Sequence, residues 1–128
     1  MEKVAIYVRE SNHTGAQEAA CRQEQKINDF CAAKGYSVCD SASVIGDRGT
    51  SFPMLMELLK SAKEKGATKI VMASTNRVLG KVDEIQMVNE AFDESGLILE
   101  TIDGSHDALR TPDLITRTLA AIEENEDD

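Results

Sequence analysis

Short apolar runs and segments of helical periodicity alternate along the chain. Short runs rich in apolar or β-branched residues, typical of buried strands, occur at 4–8, 70–73 and 97–102, and a weaker strand signal covers 36–45. Between these runs, apolar residues recur every three or four positions, which predicts amphipathic helices over 17–34, from Leu55 to about Gly66, and over 83–95. A last helix is expected to open at Thr111-Pro112. The segment 46–53 is dense in turn formers, which predicts an irregular loop.

This alternation of strand and helix is the pattern of an α/β fold. A helix between two strands forms a right-handed crossover over the sheet, so the strands run parallel. The sequence therefore predicts a mainly parallel sheet of four or five strands with helices on both faces. Ligands of such sheets bind at the carboxyl ends of the strands. One domain is expected over 1–122, followed by a disordered acidic tail over 123–128.

Composition indicates a chain that folds in a reducing compartment. No run approaches the roughly 18 apolar residues of a membrane span, and no secretory signal opens the chain, which favours a cytoplasmic protein. Cys21, Cys31 and Cys39 are odd in number and lack a CxxC spacing, so neither a disulfide framework nor a zinc site is expected. Neither His13 nor His106 lies in a metal-ligand spacing, and both are expected to be solvated loop residues.

The charge of the chain limits how it can meet nucleic acid. Its formal net charge is −9, whereas Lys and Arg supply most of the sequence-independent affinity for phosphates. Much of the acidity lies in the tail, at Glu123, Glu124, Glu126, Asp127 and Asp128. A DNA substrate would therefore be held locally, or with help from another segment or protein.

The opening strand leads directly into residues that can bind a phosphate. Arg9 and Ser11 follow the first apolar run, at the edge where an α/β sheet offers its ligand site. A guanidinium and a hydroxyl at this place suit one phosphate group. A serine after a strand is more often a cap of a turn or helix, so the pair alone does not decide between the two roles.

Short motifs are spread along the chain from the first strand to the last helix. They are Tyr7-Val8-Arg9-Glu10-Ser11, the helical set Gln23, Ile27 and Phe30, then Asp47-Arg48-Gly49-Thr50-Ser51, Asn76-Arg77 and Thr111-Pro112. In order and spacing they resemble the N-terminal catalytic domain of the serine recombinases of the resolvase and invertase family. That family has Tyr-x-Arg-x-Ser at its first strand, an Asp-x-Gly-x-Ser loop, Asp-Arg after its third strand and Thr-Pro before its last helix. The resemblance spans nearly the whole chain.

The resemblance implies site-specific DNA recombination. Ser11 would attack a DNA phosphodiester and form a phosphoserine with one DNA end, after which the broken strands are rejoined to new partners. Arg9 and Arg77 would stabilise the charge on the transferring phosphoryl group, and Asp47 would orient an arginine or hold its loop. The covalent link preserves the bond energy, so no metal or cofactor is implied. The implied partners are DNA and further copies of the chain, in a homodimer or tetramer formed through the third and last helices.

Three positions depart from the family's pattern. Phe52 stands where the family has an arginine, Asn76 replaces an acidic residue, and Gly80 replaces a second arginine. Arg48 and Lys81 lie nearby and are candidates to bind phosphate instead. Losing one preorganised donor slows catalysis by about 100- to 1,000-fold. The alternative to an active recombinase is therefore a catalytically impaired module that acts through self-association or by binding other recombinases.

Two other protein classes share the α/β pattern. A receiver-like module needs acidic residues at strand ends to hold magnesium, yet the first strand ends in Val8-Arg9 and the third in Ser74-Thr75. A flavodoxin-like module needs aromatic rings around its flavin, and aromatic residues make up only 4% of the chain. Both classes are disfavoured.

Overall fold

The computed structural model describes residues 1–78 and 82–106, with the backbone alone for residues 82–85. In this part of the chain, four strands alternate with three α-helices, and a short 3₁₀ turn, Thr75–Arg77, follows the third strand. The elements are β1 (Lys3–Glu10), α1 (Ala16–Lys34), β2 (Ser37–Ile45), α2 (Arg48–Glu64), β3 (Lys69–Met72), α3 (Val82–Ser95) and β4 (Ile98–Thr101).

The strands form one parallel sheet in the order β2-β1-β3-β4. On one face, Val4 and Ile6 of β1 pack with Ile27 of α1. On the other face, Tyr7 belongs to a larger cluster with residues of α2 and α3, including Leu55 and Phe92. The predicted α/β class, with helices on both faces of a parallel sheet, is confirmed, and four strands lie in the described residues.

β1 is the centre of the core because both of its faces are covered. Every residue from Val4 to Arg9 is buried, which explains why the first apolar run is continuous and does not alternate with polar residues. Burying one large apolar side chain of this kind stabilises the fold by about 1.5–3 kcal/mol. The strand is therefore a rigid base for the residues that follow it.

The end of α1 shows how a local signal produces a helix boundary. Gly35 adopts a left-handed conformation with φ 75°, which glycine reaches without a steric penalty. Its N–H donates to the Ala32 carbonyl, and the Tyr36 N–H donates to the Cys31 carbonyl at 2.9 Å. This paired arrangement satisfies two carbonyls of the last helical turn, and the predicted stop is confirmed.

The expectation of an irregular loop over 46–53 was wrong for most of that segment. α2 begins at Arg48, because the Asp47 carboxylate accepts the Thr50 N–H at 2.6 Å and caps the first turn. Pro53 lies in the second turn, where its missing N–H removes one bond, to the Gly49 carbonyl. The residues that looked like turn formers are the cap and the first turns of α2.

Some predictions fall on parts of the chain that the structure does not describe. These are the last helix at Thr111-Pro112, the acidic tail over 123–128, and the positions of Gly80 and Lys81. Among the helices of the described part, none combines the length and apolar character of a membrane-crossing segment.

Candidate functional site

β1 and β3 separate at the carboxyl edge of the sheet. Their pairing joins residues 4–6 with residues 69–71, whereas β1 stays paired with β2 as far as Glu10. The chain leaves β1 towards α1 on one face and leaves β3 towards α3 on the other, so these strands form a topological switch point. Such a point opens a crevice in which α/β proteins bind ligands.

Gln23 of α1 covers the edge of β1 from which β3 has departed. Its Oε1 accepts the Arg9 N–H at 3.2 Å, and its Nε2 donates to the Arg9 carbonyl at 3.1 Å and to Glu10 Oε2 at 3.3 Å. The side-chain amide thus takes the place of a neighbouring strand and keeps these buried backbone groups paired. Gln23 is therefore a positioning residue. The sequence analysis found it only as a member of a helical motif and gave it no role.

Arg9 ties together the three segments that meet at this edge. Its Nε donates to the Arg77 carbonyl at 2.8 Å, after β3, and its Nη1 donates to the Gly46 carbonyl at 2.7 Å, after β2. The residue is only 6% exposed. Nη2 is the guanidinium nitrogen without a hydrogen bond to any described residue. Arg9 therefore positions the loops and retains one donor for a ligand.

The guanidinium groups of Arg48 and Arg77 lie close enough to Arg9 to act on its charge. Burial lowers the pKa of Arg9, and the positive charges of Arg48 and Arg77 lower it further, against the opposing effects of Tyr7 and Glu10. An arginine remains protonated at physiological pH. The depressed pKa of Arg9 thus reflects burial first, and the nearby positive charges of Arg48 and Arg77 second. Such an arrangement favours an anion, which would relieve the mutual repulsion.

Arg77 is incompletely paired. Its Nη1 lies 3.8 Å from Glu10 Oε2, a long contact for an ion pair, and its side chain is one-quarter exposed. Its Nε is buried and has no hydrogen-bond partner within the described residues. An unpaired buried donor costs about 1–3 kcal/mol, and an anionic oxygen would remove this cost.

Asp47 and Arg48 lie at the N-terminus of α2. Hydrogen bonds from Thr50, that of its backbone first, lower the pKa of the Asp47 carboxyl, which is exposed and ionised at neutral pH. The Arg48 Nη1 donates to the Asn76 carbonyl at 3.4 Å. Asp47 thus caps the helix, and Arg48 extends from the first helical turn towards the segment after β3.

Ser11 lies exposed on the segment that joins β1 to α1, and its hydroxyl has no hydrogen bond to any other described residue. It is two residues from Arg9, so chain connectivity keeps their Cα atoms within about 7 Å. Nearby, the His13 Nε2 lies 3.2 Å from Glu10 Oε1 and its Nδ1 lies 2.8 Å from the Thr14 carbonyl oxygen. These bonds, that to Thr14 first, raise the pKa of His13.

The departures from the family's pattern have visible structural consequences. Phe52 is half-buried against the cluster that contains Leu55, so this position provides no cation. The exposed Asn76 contributes its backbone carbonyl, which accepts from Arg48. Glu10 is a residue that sequence reasoning passed over, although a carboxylate between Arg9 and Ser11 in the first motif was a usable signal.

One expectation about the histidines was wrong, whereas the cysteines are as expected. His106 is half-buried and not a solvated loop residue, because its Nδ1 accepts the Thr101 N–H at 2.9 Å. Cys21, Cys31 and Cys39 are free. Among the side chains described, those of residues 1–78 and 86–106, no three of His, Cys, Asp or Glu are grouped to hold a metal ion.

Comparison with solved structures shows recombinase domains of the same fold. A resolvase family site-specific recombinase from Streptococcus pneumoniae has a TM-score of 0.73 and 18% identity, over 98% of this chain and 88% of that one. The N-terminal catalytic domain of TP901-1 integrase has a TM-score of 0.70 and 23% identity, over 98% and 96%. The C-terminal catalytic domain of ISC1926 TnpA, an IS607-like serine recombinase, has a TM-score of 0.63 and 18% identity, over 94% and 79%.

Comparison with sequence families gives the relationship directly. Among curated proteins, no sequence matches the chain. The family model described as resolvase, N terminal domain, matches residues 4–128, which is nearly the full length. That match includes the strand-end residues that converge at the switch point, and the described part of the chain has the fold of recombinase domains. The chain is therefore a member of the resolvase family and contains the N-terminal domain of that family.

Proposed function

We propose that this domain carries out site-specific DNA recombination, cleaving and rejoining DNA strands through Ser11. The observation that carries the proposal is the cluster of Arg9, Arg48 and Arg77 at the switch point. The exposed hydroxyl of Ser11 is two residues along the chain from Arg9. The family match and the similarity to recombinase domains support it.

The chemistry begins with Ser11 Oγ and a DNA phosphodiester. A bond forms between Oγ and phosphorus while the bond from phosphorus to one deoxyribose oxygen breaks, and the serine proton passes to solvent. The leaving oxygen takes up a proton and becomes a hydroxyl. In the reverse step, a deoxyribose hydroxyl attacks the phosphoserine and releases Ser11. The phosphate bond is conserved throughout, so the scheme uses no cofactor.

The guanidinium groups stabilise the charge that spreads over the phosphoryl oxygens. Arg77 offers its unpaired Nε, and Arg9 offers Nη2 while its other nitrogens fix the surrounding loops. Arg48 is the third cation, and Asp47 places it by capping α2. Lys81 stays a proposed phosphate contact outside the described residues.

A second function is favoured by a specific observation. Phe52 fills its position with an apolar ring packed on the core, so one cation of the family's site is replaced by a core contact. With a net charge of −9, this supports the alternative of a catalytically impaired module that associates with itself or with other recombinases. Only an active recombinase would form a covalent DNA adduct on Ser11, so this adduct distinguishes the two functions.

The test traps the covalent intermediate. The full chain is incubated with a pool of gapped DNA duplexes of randomised sequence, and complexes that survive denaturation are isolated. Mass spectrometry of the digested protein then identifies the attached residue. We expect a phosphodiester-linked nucleotide on Ser11, present in the wild-type protein and absent in Ser11→Ala.

Ser43→Ala provides the matched control, because Ser43 is also an exposed serine, on β2. It should form the adduct as the wild-type protein does. Failure of the wild-type protein to form any adduct, or attachment at another residue, would overturn the active recombinase and leave the impaired module.

Self-association is proposed as the second property of the domain. Met87 of α3 is 46% exposed and shares a groove with Met56 and Phe52 of α2. Exposed apolar side chains that lie together are candidates for a protein interface. This agrees with the third helix as a predicted contact surface; the predicted contribution of the last helix lies outside the described residues.

A further inference from the structure

A second basic feature lies beside the arginine cluster. A groove runs between α1 and the segment after β3, lined by Ala19, Arg22, Gln23 and Lys26 of α1, and by Glu10, Ala73 and Arg77. Glu10 and Arg77 belong both to this groove and to the switch-point site, so the two are continuous. The alanines leave the floor of the groove open to a bulky ligand.

The groove concentrates positive charge in an acidic protein. Arg22 and Lys26 are exposed, and neither forms an ion pair with another described residue, although the chain has 23 acidic and 14 basic residues. Arg77 is the third cation. Among the described residues that line the groove, Glu10 is the single carboxylate, against three cations. The groove therefore carries a local excess of positive charge.

The spacing of these cations suits a polyanion. Arg22 and Lys26 are four residues apart on α1, so they lie on one face of the helix, about 6 Å apart along its axis. Phosphates of one DNA strand advance by about 3.4 Å along the duplex axis. The two exposed side chains can therefore contact different phosphates of one strand.

We propose that this groove binds the sugar–phosphate backbone of the DNA strand beside the phosphodiester that Ser11 attacks. Arg22 and Lys26 contact phosphates by charge and read no bases. They hold the strand on the α1 side of the crevice, while Arg77 links this track to the reacting phosphate. The inference rests on the proposed function for the identity of the polymer, and it gives an acidic domain a local path for DNA.

The test measures binding apart from chemistry. In a Ser11→Ala background, affinity for a single-stranded oligothymidylate is followed across a range of salt concentrations. Arg22→Gln/Lys26→Gln should weaken binding by about 20-fold near 0.1 M salt and reduce the slope of log affinity against log salt by about 1.4, since each phosphate contact on a single strand contributes about 0.7. Lys60→Gln/Lys63→Gln on α2 removes the same charge elsewhere and should leave the slope unchanged.

Each result decides one question. An equal loss in the α2 control variant, an unchanged slope in the groove variant, or no binding by the Ser11→Ala protein at low salt overturns the groove. A covalent adduct on Ser11 whose yield is insensitive to the groove substitutions at limiting DNA also overturns it. Loss of salt-dependent binding in the groove variant, without any adduct in the wild-type protein, supports the groove and contradicts the recombinase chemistry.

Discussion

At the scale of the residue, Arg9 both holds the loops of the site in place and keeps one nitrogen for a ligand. Two of its nitrogens hold the carbonyls of Gly46 and Arg77, and these bonds connect the ends of three adjacent strands. Only a planar guanidinium has donors spread widely enough to serve both carbonyls at once. Arg9 is thus a fixed element of the site before any ligand arrives.

Arg9→Lys should destabilise the fold by about 1–3 kcal/mol, because an ammonium cannot reach both carbonyls and one of them loses its partner. Urea unfolding followed by circular dichroism measures this change. Arg22→Lys, at an exposed position of α1, should change stability by no more than about 0.5 kcal/mol. Equal stability of the Arg9→Lys and wild-type proteins would show that these two bonds do not hold the site together.

Glu10 acts at the same scale as an internal competitor for Arg77. Its Oε2 lies 3.8 Å from Arg77 Nη1, where an oxygen of a bound anion would otherwise gain from the positive charge. Glu10→Gln should raise affinity for inorganic phosphate by about 3- to 10-fold at low salt, in keeping with about 1 kcal/mol for a partly exposed pair. Chemical-shift titration with phosphate measures this affinity.

Glu18→Gln on α1 removes one negative charge from a residue that does not line the groove. It provides the control for net charge, and its effect on phosphate affinity should be small. If Glu18→Gln raises the affinity as much as Glu10→Gln does, the competition between Glu10 and the anion is refuted.

At the scale of the element, the loops that follow β3 and β4 are fastened to each other through Asp103. Its Oδ1 accepts the Ser105 N–H at 2.9 Å and the Ser105 hydroxyl at 2.6 Å, and the Ser105 hydroxyl in turn accepts the Thr75 N–H at 3.0 Å. Burial tends to raise the pKa of Asp103, but hydrogen bonds from Ser105, Ser74 and Thr101 lower it to about 2.

The depressed pKa predicts how stability depends on acid. A carboxyl with a folded-state pKa below its unfolded value stabilises the fold above about pH 4 and loses that contribution as the pH falls through about 2. Asp103→Asn should therefore lower the unfolding temperature at pH 7 and reduce its decline between pH 4 and pH 2. Thermal unfolding at a series of pH values tests this. Parallel profiles for the two proteins would contradict it.

At the scale of the whole molecule, the proposed DNA substrate would have to be bound by an acidic chain. The described cations near the crevice are few, and the remaining surface contributes to a net charge of −9. Long-range attraction to DNA is therefore expected to be weak, so the proposed binding would depend on local contacts. For the proposed recombination, self-association would add the DNA contacts of further copies.

Met87→Glu should weaken self-association by at least about 10-fold, since it places a charge in an apolar interface that must then be desolvated. Sedimentation across a range of protein concentrations measures this change. Met54 is 42% exposed on α2 and lies outside the groove that holds Met87, so Met54→Glu is the control. Self-association that weakens equally in both variants, or a wild-type protein that remains monomeric, contradicts α3 as the interface.

The sequence predictions were right where burial or glycine conformation gave the signal, and they were wrong where a single side-chain hydrogen bond decided the local structure. Strand β1 and the stop at Gly35 were predictable because burial and glycine conformation act within a few residues. The start of α2 was missed because the turn formers of this segment hid the helix cap that Asp47 provides for the Thr50 N–H. The expectation for His106 failed because the turn after β4 brings its Nδ1 back to the Thr101 N–H, which is a contact that the sequence pattern does not indicate.

By itself, the sequence determined the order of strands and helices, the parallel sheet they must form, and the presence of Arg9, Ser11 and Arg77 at strand ends. Periodicity and chain connectivity carry that information along the chain. Only the tertiary structure decided that Arg9 bonds the carbonyls of two other loops, that Glu10 faces Arg77, and that α1 completes a basic groove. The physical reason is that these contacts join residues distant in sequence, whose meeting depends on how the strands are ordered in the sheet.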